Sequence, residues 1–370
     1  MGDHGKLPLQ DTSGWCSQPD SPLIKPVGTD REKQGLRGSV KSVLIDTAQF
    51  EKQDGQITEK PWFSQTITFN QQGWLTEETN RNPDGSEWRA VSDYSDFGKL
   101  LARRSYEPSG TLAGELRFIY DDEERLIAEQ QINKDGNITT PTTYSYDVES
   151  GKTKIQEFDY SGETDIIVGI EGTTTSIAAG EAKRIETRYD DRGEAVEVKV
   201  FNAAGLLITR IEITRDVRGN ALEETQYIGD VAPFGPCESG SCSTEEMESL
   251  TEEQKAEFAA TFAQLFSPGT VMSRHTHEYD VEGRLIESKL TMMGTVASRQ
   301  TFSYDETGNK SEEISYSQDE TLESKAIFTR DYDEHGNWTK ELVSTVSSWD
   351  AEFGLSTPVH LTRRTITYYT

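Results

Sequence analysis

The chain of 370 residues carries 65 acidic against 37 basic side chains, a net charge of −28, and only 33% of its residues are hydrophobic. Such a charge repels nucleic acid and anionic membrane at long range, which removes both from the expected partners. Counting glycine, the apolar share is about 41%, below the ~45–50% of compact domains, which disfavours a deep two-layer core.

Residues 1–34 read as an irregular segment without the basic-then-apolar pattern of a signal peptide, and no later run is long enough to span a membrane as a helix. A strand is expected from Gly35 to Val43. From Phe69 an aromatic–Asp–x–x–Gly unit recurs. Phe69-Asn70…Gly73 and Tyr94-Ser95…Gly98 relax the second residue, Tyr120-Asp121 has Glu124 in place of glycine, and Tyr146-Asp147 reaches glycine one position late at Gly151. These four starts are 25, 26 and 26 residues apart, a period that marks a repeat architecture. The interval then lengthens to 43 residues before Tyr189-Asp190…Gly193, and its surplus around Ser161 to Gly180 reads as an elongated loop. Arg215-Asp216…Gly219 resumes the register, closing a first repeat block over 35–228.

Residues 229–270 form an insertion. Cys237 and Cys242 suit a small disulfide loop better than a zinc site, which two thiols alone support poorly, or a redox pair, whose Cys-x-x-Cys spacing is lacking; Cys16 is left over. Thr251-Glu252-Glu253-Gln254 has capping-box spacing, and Phe258, Phe262, Leu265 and Phe266 share one face before Ser267-Pro268-Gly269. That pattern predicts an amphipathic helix, packed on the parent sheet in the plain reading and plugging a shell or docking a partner in the functional one. A second block over 271–370 holds the intact copies Tyr279-Asp280…Gly283, Tyr304-Asp305…Gly308 and Tyr332-Asp333…Gly336, then a final strand, His360 to Tyr368.

Weaker copies halfway through the period, such as Tyr106-Glu107…Gly110 and Phe201-Asn202…Gly205, reduce the unit to roughly twelve residues, one strand and one tight turn. Alternation in Arg184–Tyr189, Val196–Val200 and Arg210–Thr214 has the period of a strand. Within the turn, glycine supplies a positive φ and Asp accepts bonds from free amides. The aromatic is expected to stack on its neighbour in the adjoining hairpin, its hydroxyl in water.

The runs Tyr279-Asp280-Val281-Glu282-Gly283-Arg284-Leu285, Tyr304 to Asn309 and Tyr332 to Trp338 resemble YD repeats, the building block of RHS-type proteins, and Gly35 to Val43 resembles the start of bacterial members. The resemblance covers about Gly35 to Trp338 and implies a continuous antiparallel sheet wound into a shell or ribbon, a scaffold without an active site, secreted or held at the bacterial envelope. The chain is shorter than the cargo-enclosing members, and no toxin domain is evident after Trp338. The expected fold is all-β, an extended antiparallel sheet of consecutive hairpins as a ribbon or partial shell, with one inserted amphipathic helix.

Signals for chemistry are sparse. His275 and His277, two apart on a strand, share a face and suit a shared metal, but no third ligand is evident in the sequence and two solvated histidines are the plainer reading. Acidic turns such as Asp121 to Glu124 and Asp333 to Asn337 offer oxygen ligands without an EF-hand pattern. Nucleophile-elbow, phosphate-loop and dinucleotide motifs are missing. No catalytic, cofactor or metal residue is assigned. The expected function is a non-enzymatic scaffold contacting a protein or a glycan, the latter through Trp62, Trp74, Trp88 and Trp338. One rival is a polysaccharide hydrolase with a carboxylate pair in a sheet groove. The other is a partial encapsulating shell of a toxin-delivery system, extended by partners at an uncharged edge strand.

Overall fold

A computed structural model describes residues 28–53, 56–146, 153–158, 166–170, 173–177, 183–230, 266–346 and 356–370, with single positions at 251, 254, 260 and 261. Twenty strands form one antiparallel sheet in which neighbours in sequence pair as hairpins. The first run is β1 (Val40–Gln53), β2 (Gln56–Phe69), β3 (Leu75–Arg81), β4 (Glu87–Tyr94), β5 (Leu100–Tyr106), β6 (Leu112–Tyr120), β7 (Leu126–Asn133), β8 (Ile138–Tyr146) and β9 (Thr153–Phe158). β10 (Ile166–Ile170) and β11 (Thr173–Ile177) pair only with each other, so a small hairpin replaces the loop expected there. The sheet continues with β12 (Arg184–Tyr189), β13 (Ala195–Phe201), β14 (Leu207–Arg215) and β15 (Ala221–Ile228). Beyond the insertion come β16 (Val271–Tyr279), β17 (Leu285–Met292), β18 (Thr295–Tyr304), β19 (Lys310–Tyr316), β20 (Leu322–Tyr332), β21 (Trp338–Val346) and β22 (Thr357–Tyr368).

The sheet is a closed barrel, not the ribbon or partial shell expected from its repeats. β22 returns to β1, with Val43 opposite Ile366 and Gln49 opposite His360. Closure pairs backbone groups that an edge would leave open, so the ring offers no uncharged edge strand for a partner to extend. Beside the seam, Leu36, Val40, Val43, Ile67, Phe69 and Leu75 form a buried cluster in which Val40, Val43 and Phe69 are fully covered. At about 1.5–3 kcal/mol per fully buried side chain, these outweigh the exposed Arg363–Glu59 pair nearby, a class worth ~0–1 kcal/mol.

The inserted amphipathic helix is not supported as an element. Thr251 and Gln254 exchange the hydrogen bonds of a capping box, but Phe258, Phe262 and Leu265 lie outside the described residues. Near the N-terminus, α1 (Asp30–Lys33) is a single turn capped by Thr29 and Glu32.

The described repeat turns that keep the aspartate are built in one way. In Asp280-Val281-Glu282-Gly283 the Gly283 amide donates to the Asp280 carbonyl at 3.0 Å and the Asp280 amide to the Arg284 carbonyl at 2.9 Å, while the Asp280 carboxylate accepts from the amides of Glu282 and Arg284. Glycine at φ 86° and the register shift beside Tyr279 make this a type I turn with a G1 bulge. Asp121, Asp190, Asp216, Asp305 and Asp333 grip two turn amides identically. Glu124 and Glu320 take the glycine position at φ 61° and 62°. The late turn after Tyr146, with Asp147 and Gly151, lies outside the described residues.

The aromatics join repeats through their hydroxyls more than through stacked, wet rings. Tyr120, Tyr146 and Tyr304 donate to the carbonyls of Leu100, Leu126 and Leu285 at 2.7–2.9 Å, each acceptor lying two residues beyond the preceding motif's glycine position. Arg215, where the motif lacks its aromatic, reaches the equivalent carbonyl of Ala195 at 3.0 Å. Arg125 and Arg284 lie over the rings of Tyr146 and Tyr304, while Trp74 and Tyr94 stack between adjoining repeats.

Because the motif recurs every second strand, its turns all fall on one rim of the barrel, the motif rim. The half-period turns fall on the opposite, variable rim, as do the strand ends from which the connections β1–β2, β9–β12, β15–β16 and β21–β22 depart. Residues 28–38 bridge the motif rim across the seam. Asp30 accepts from the Leu75 amide and the Tyr94 hydroxyl, the Arg31 amide donates to Gly73, and Arg37 exchanges hydrogen bonds with the Asn337 side chain.

Two stability outcomes follow from the turns. Replacing Glu124 or Glu320 by glycine relieves a left-handed backbone and should raise unfolding free energy by about 1 kcal/mol, whereas Gly308→Ala should lower it by a similar amount, both read from urea midpoints. Burial opposes ionisation of Asp305, but bonds from the Thr307 and Tyr332 hydroxyls and from the Asn309 and Thr307 amides prevail and hold it down to about 2 from 3.8. A pKa lower in the folded than in the unfolded chain gives stability that is present above the unfolded value and lost as pH falls through the folded one. The urea midpoint should therefore fall between about pH 4 and pH 2, and less steeply in Asp305→Asn.

Candidate functional site

A groove of about 290 Å³ opens beside the seam toward the variable rim, lined among others by Asp46, Glu59, Trp62, Arg81, Asn82 and Arg363. Trp62 is the extra residue of a bulge, since Phe63 pairs with Thr47 and Pro61 with the next residue, Ala48. Its indole is one-third exposed, with its centroid 5.9 Å from that of His360. Arg363 grips Glu59 with two bonds of 2.6 and 2.9 Å and holds that carboxyl below its usual range, and Ser64 donates to Asp46 at 2.8 Å. The groove offers an aromatic face and a fixed ion pair, while Glu59, locked as a carboxylate, is a poor proton donor.

The four tryptophans singled out in the sequence divide by rim. Trp74 stacks on Tyr94 above Gly98, and Arg364 lies 3.3 Å from the centroid of Trp338, so these two are engaged at the motif rim. Trp88 is 45% exposed and, like Trp62, stands toward the variable rim.

A second polar concentration lies on the inner wall. Register carries one face across strands as Ile185, Val200, Thr209 and Ile228, and Ile185 and Val200 form a buried cluster with Val198, Ile211 and Ile213. From β15 that face turns polar. Ile213 is opposite Glu224, Glu224 opposite His275, and His277 opposite Ser288. His277 and Glu224 are almost wholly buried, with side chains 4% and 1% exposed and Nε2 and Oε1 3.8 Å apart. The His275 ring lies 4.4 Å from that of His277, and its Nε2 pairs with the Ser288 hydroxyl at 2.6 Å. Burial, helped by His277, holds His275 down to about 4, leaving it a neutral imidazole at neutral pH. On the same face Ser273 donates to the Gln226 side chain, which donates to Thr209.

The histidines are thus wall residues, not the solvated pair expected. Glu224 and Ser288 carry no sequence signal, because only the strand register sets them beside the His-x-His pair. Among the described residues no three histidine, cysteine or carboxylate side chains stand in a ready metal-holding arrangement. Cys16, Cys237 and Cys242 lie outside the described residues.

No protein-family model matches the chain, and no curated protein matches it. Among solved structures, a porin-like protein from Bacteroides uniformis ATCC 8492 aligns over 89% of this chain and 96% of its own, at 11% identity and TM-score 0.31. The structure titled TcdB2-TccC3-TEV aligns over 80% of this chain and 19% of its own, at 13% identity and TM-score 0.15. Likenesses this weak decide neither family nor function.

A Cβ at Gly98 would sit 2.2 Å from the Trp74 indole, whereas one at Gly110 would meet nothing within 4 Å, both at φ near 80°. Gly98→Ala should therefore lower stability by at least ~2 kcal/mol more than Gly110→Ala in matched urea titrations, as fits a Trp74 that seals the rim.

Proposed function

We propose that this protein is a non-enzymatic scaffold of the YD-repeat kind, secreted or held at a bacterial envelope, whose variable rim meets a protein or glycan partner. Glycan is the class that the exposed Trp62 and Trp88 suit best. The observation that carries this reading is the split between rims: Trp74 and Trp338 are engaged at the motif rim, which residues 28–38 bridge, while Trp62, Trp88 and the strand ends from which the repeat is interrupted lie toward the other. A flat indole beside fixed polar groups suits the face of a sugar ring.

The outward face supports a barrel in water. Arg188, Glu197, Lys199, Arg210, Arg274 and Glu223 stand on it in ion pairs, where a membrane barrel would need an apolar band about 25 Å tall. No described helix is long and apolar enough to cross a membrane, which says nothing of strands. The hydrolase reading has less support, because Glu59 in the groove is bound to Arg363. A shell completed by partners would need a free edge, and the ring presents none.

The test is a glycan array probed with the folded full chain, followed by titration of the best oligosaccharide. Trp62→Ala and Trp88→Ala should each weaken binding about tenfold, on the order of 1–1.5 kcal/mol. Absence of any bound glycan, or affinity unchanged in the double variant, would exclude the glycan form of the proposal.

A further inference from the structure

We infer that the inner wall of β15–β17 holds a binding site for a divalent transition cation of the zinc class, with Glu224, His275 and His277 as protein ligands. The site is independent of the rim and its partner.

Neither ring nitrogen of His277 hydrogen-bonds to any protein atom, nor does Nδ1 of His275, although these atoms are buried. A buried imidazole without partners is costly, and such groups in folded proteins commonly mark a site for something the protein binds. His277 Nε2 and Glu224 Oε1 are too far apart at 3.8 Å for a hydrogen bond. A zinc ion about 2.0–2.2 Å from each would span that gap at roughly 125–145°, so the two atoms must close to about 3.4 Å for tetrahedral coordination. The third ligand stands beside them. His275 Nε2 is already paired with Ser288 Oγ, leaving Nδ1 to coordinate, and a hydrogen bond on the far nitrogen is the usual way a ligating histidine is oriented.

The backbone explains why these side chains meet. A separation of two places both histidines on one face, Glu224 is directly opposite His275 and diagonal to His277, and Ser288 is directly opposite His277 and diagonal to His275. In their present rotamers the three ligands do not converge on one point. Zinc would bring them together by side-chain rotation on the paired sheet, with the register of β15–β17 kept. Two imidazoles and one carboxylate favour zinc, cobalt or nickel over calcium or magnesium, which prefer all-oxygen sites.

The test is calorimetric titration of Zn²⁺ into the full chain with Cys16, Cys237 and Cys242 changed to serine, so that thiolates cannot imitate the site. One ion per chain should bind and raise the melting temperature, while Ca²⁺ should do neither. His277→Ala, His275→Ala and Glu224→Gln should each weaken Zn²⁺ at least ~10-fold, and Ser288→Ala, which removes only the orienting bond, about 10-fold. His335→Ala, on an exposed turn, should change nothing. X-ray absorption of the unsubstituted chain loaded with one equivalent of Zn²⁺ needs none of the ligand substitutions and should show scattering from two imidazoles. No binding by the cysteine-free chain, binding unchanged when both histidines are replaced, or a zinc spectrum without imidazole scattering would each overturn the site.

Discussion

The barrel depends on one repeated interaction, an aspartate carboxylate gripping two backbone amides of a tight turn while a glycine beside it takes a left-handed conformation. Asp280 does this through Glu282 and Arg284, and Asp305 through Thr307 and Asn309. The grip ends one strand and starts the next with a fixed bulge, so it also sets register. A slip of one residue would exchange inner and outer faces, turning Val200 and Ile211 to water and the Arg188–Glu197 pair inward.

Turn geometry propagates into the joints between repeats. With the bulge in place, the hydroxyl of the following tyrosine comes within hydrogen-bond distance of a carbonyl at the start of the earlier strand, as Tyr146 does to Leu126. Arg215 at Ala195 shows that this joint needs a donor of the right length more than an aromatic ring. A ring of twenty strands is also wider than an eight-strand barrel filled by its own side chains. In β19 every position is half-buried whichever face it occupies, as a hollow wall requires. Such a wall can carry polar groups inside, and from β15 to β17 it does.

Strands, turns and the alternation of their faces are legible in the sequence because they are local. Period two in Arg184–Tyr189, the glycine offset at Gly193 and the eroded position at Glu124 all correspond to observed strands and turns. The β10–β11 hairpin stands where the sequence suggests a loop, since its five-residue strands pair outside the repeat's own spacing. The histidines depart from expectation for another reason, in that His-x-His fixes a shared face but not whether that face meets water.

By itself the amino-acid sequence determined the unit, one strand and one tight turn in roughly twelve residues, because propensity, turn chemistry and side-chain period act over that span. Tertiary structure alone decided that the units close, that β22 finds β1, and that Glu224 comes to lie beside His275 and His277. Each of these is a pairing between strands, set by the number of hairpins and their accumulated register. No short window of residues encodes that sum.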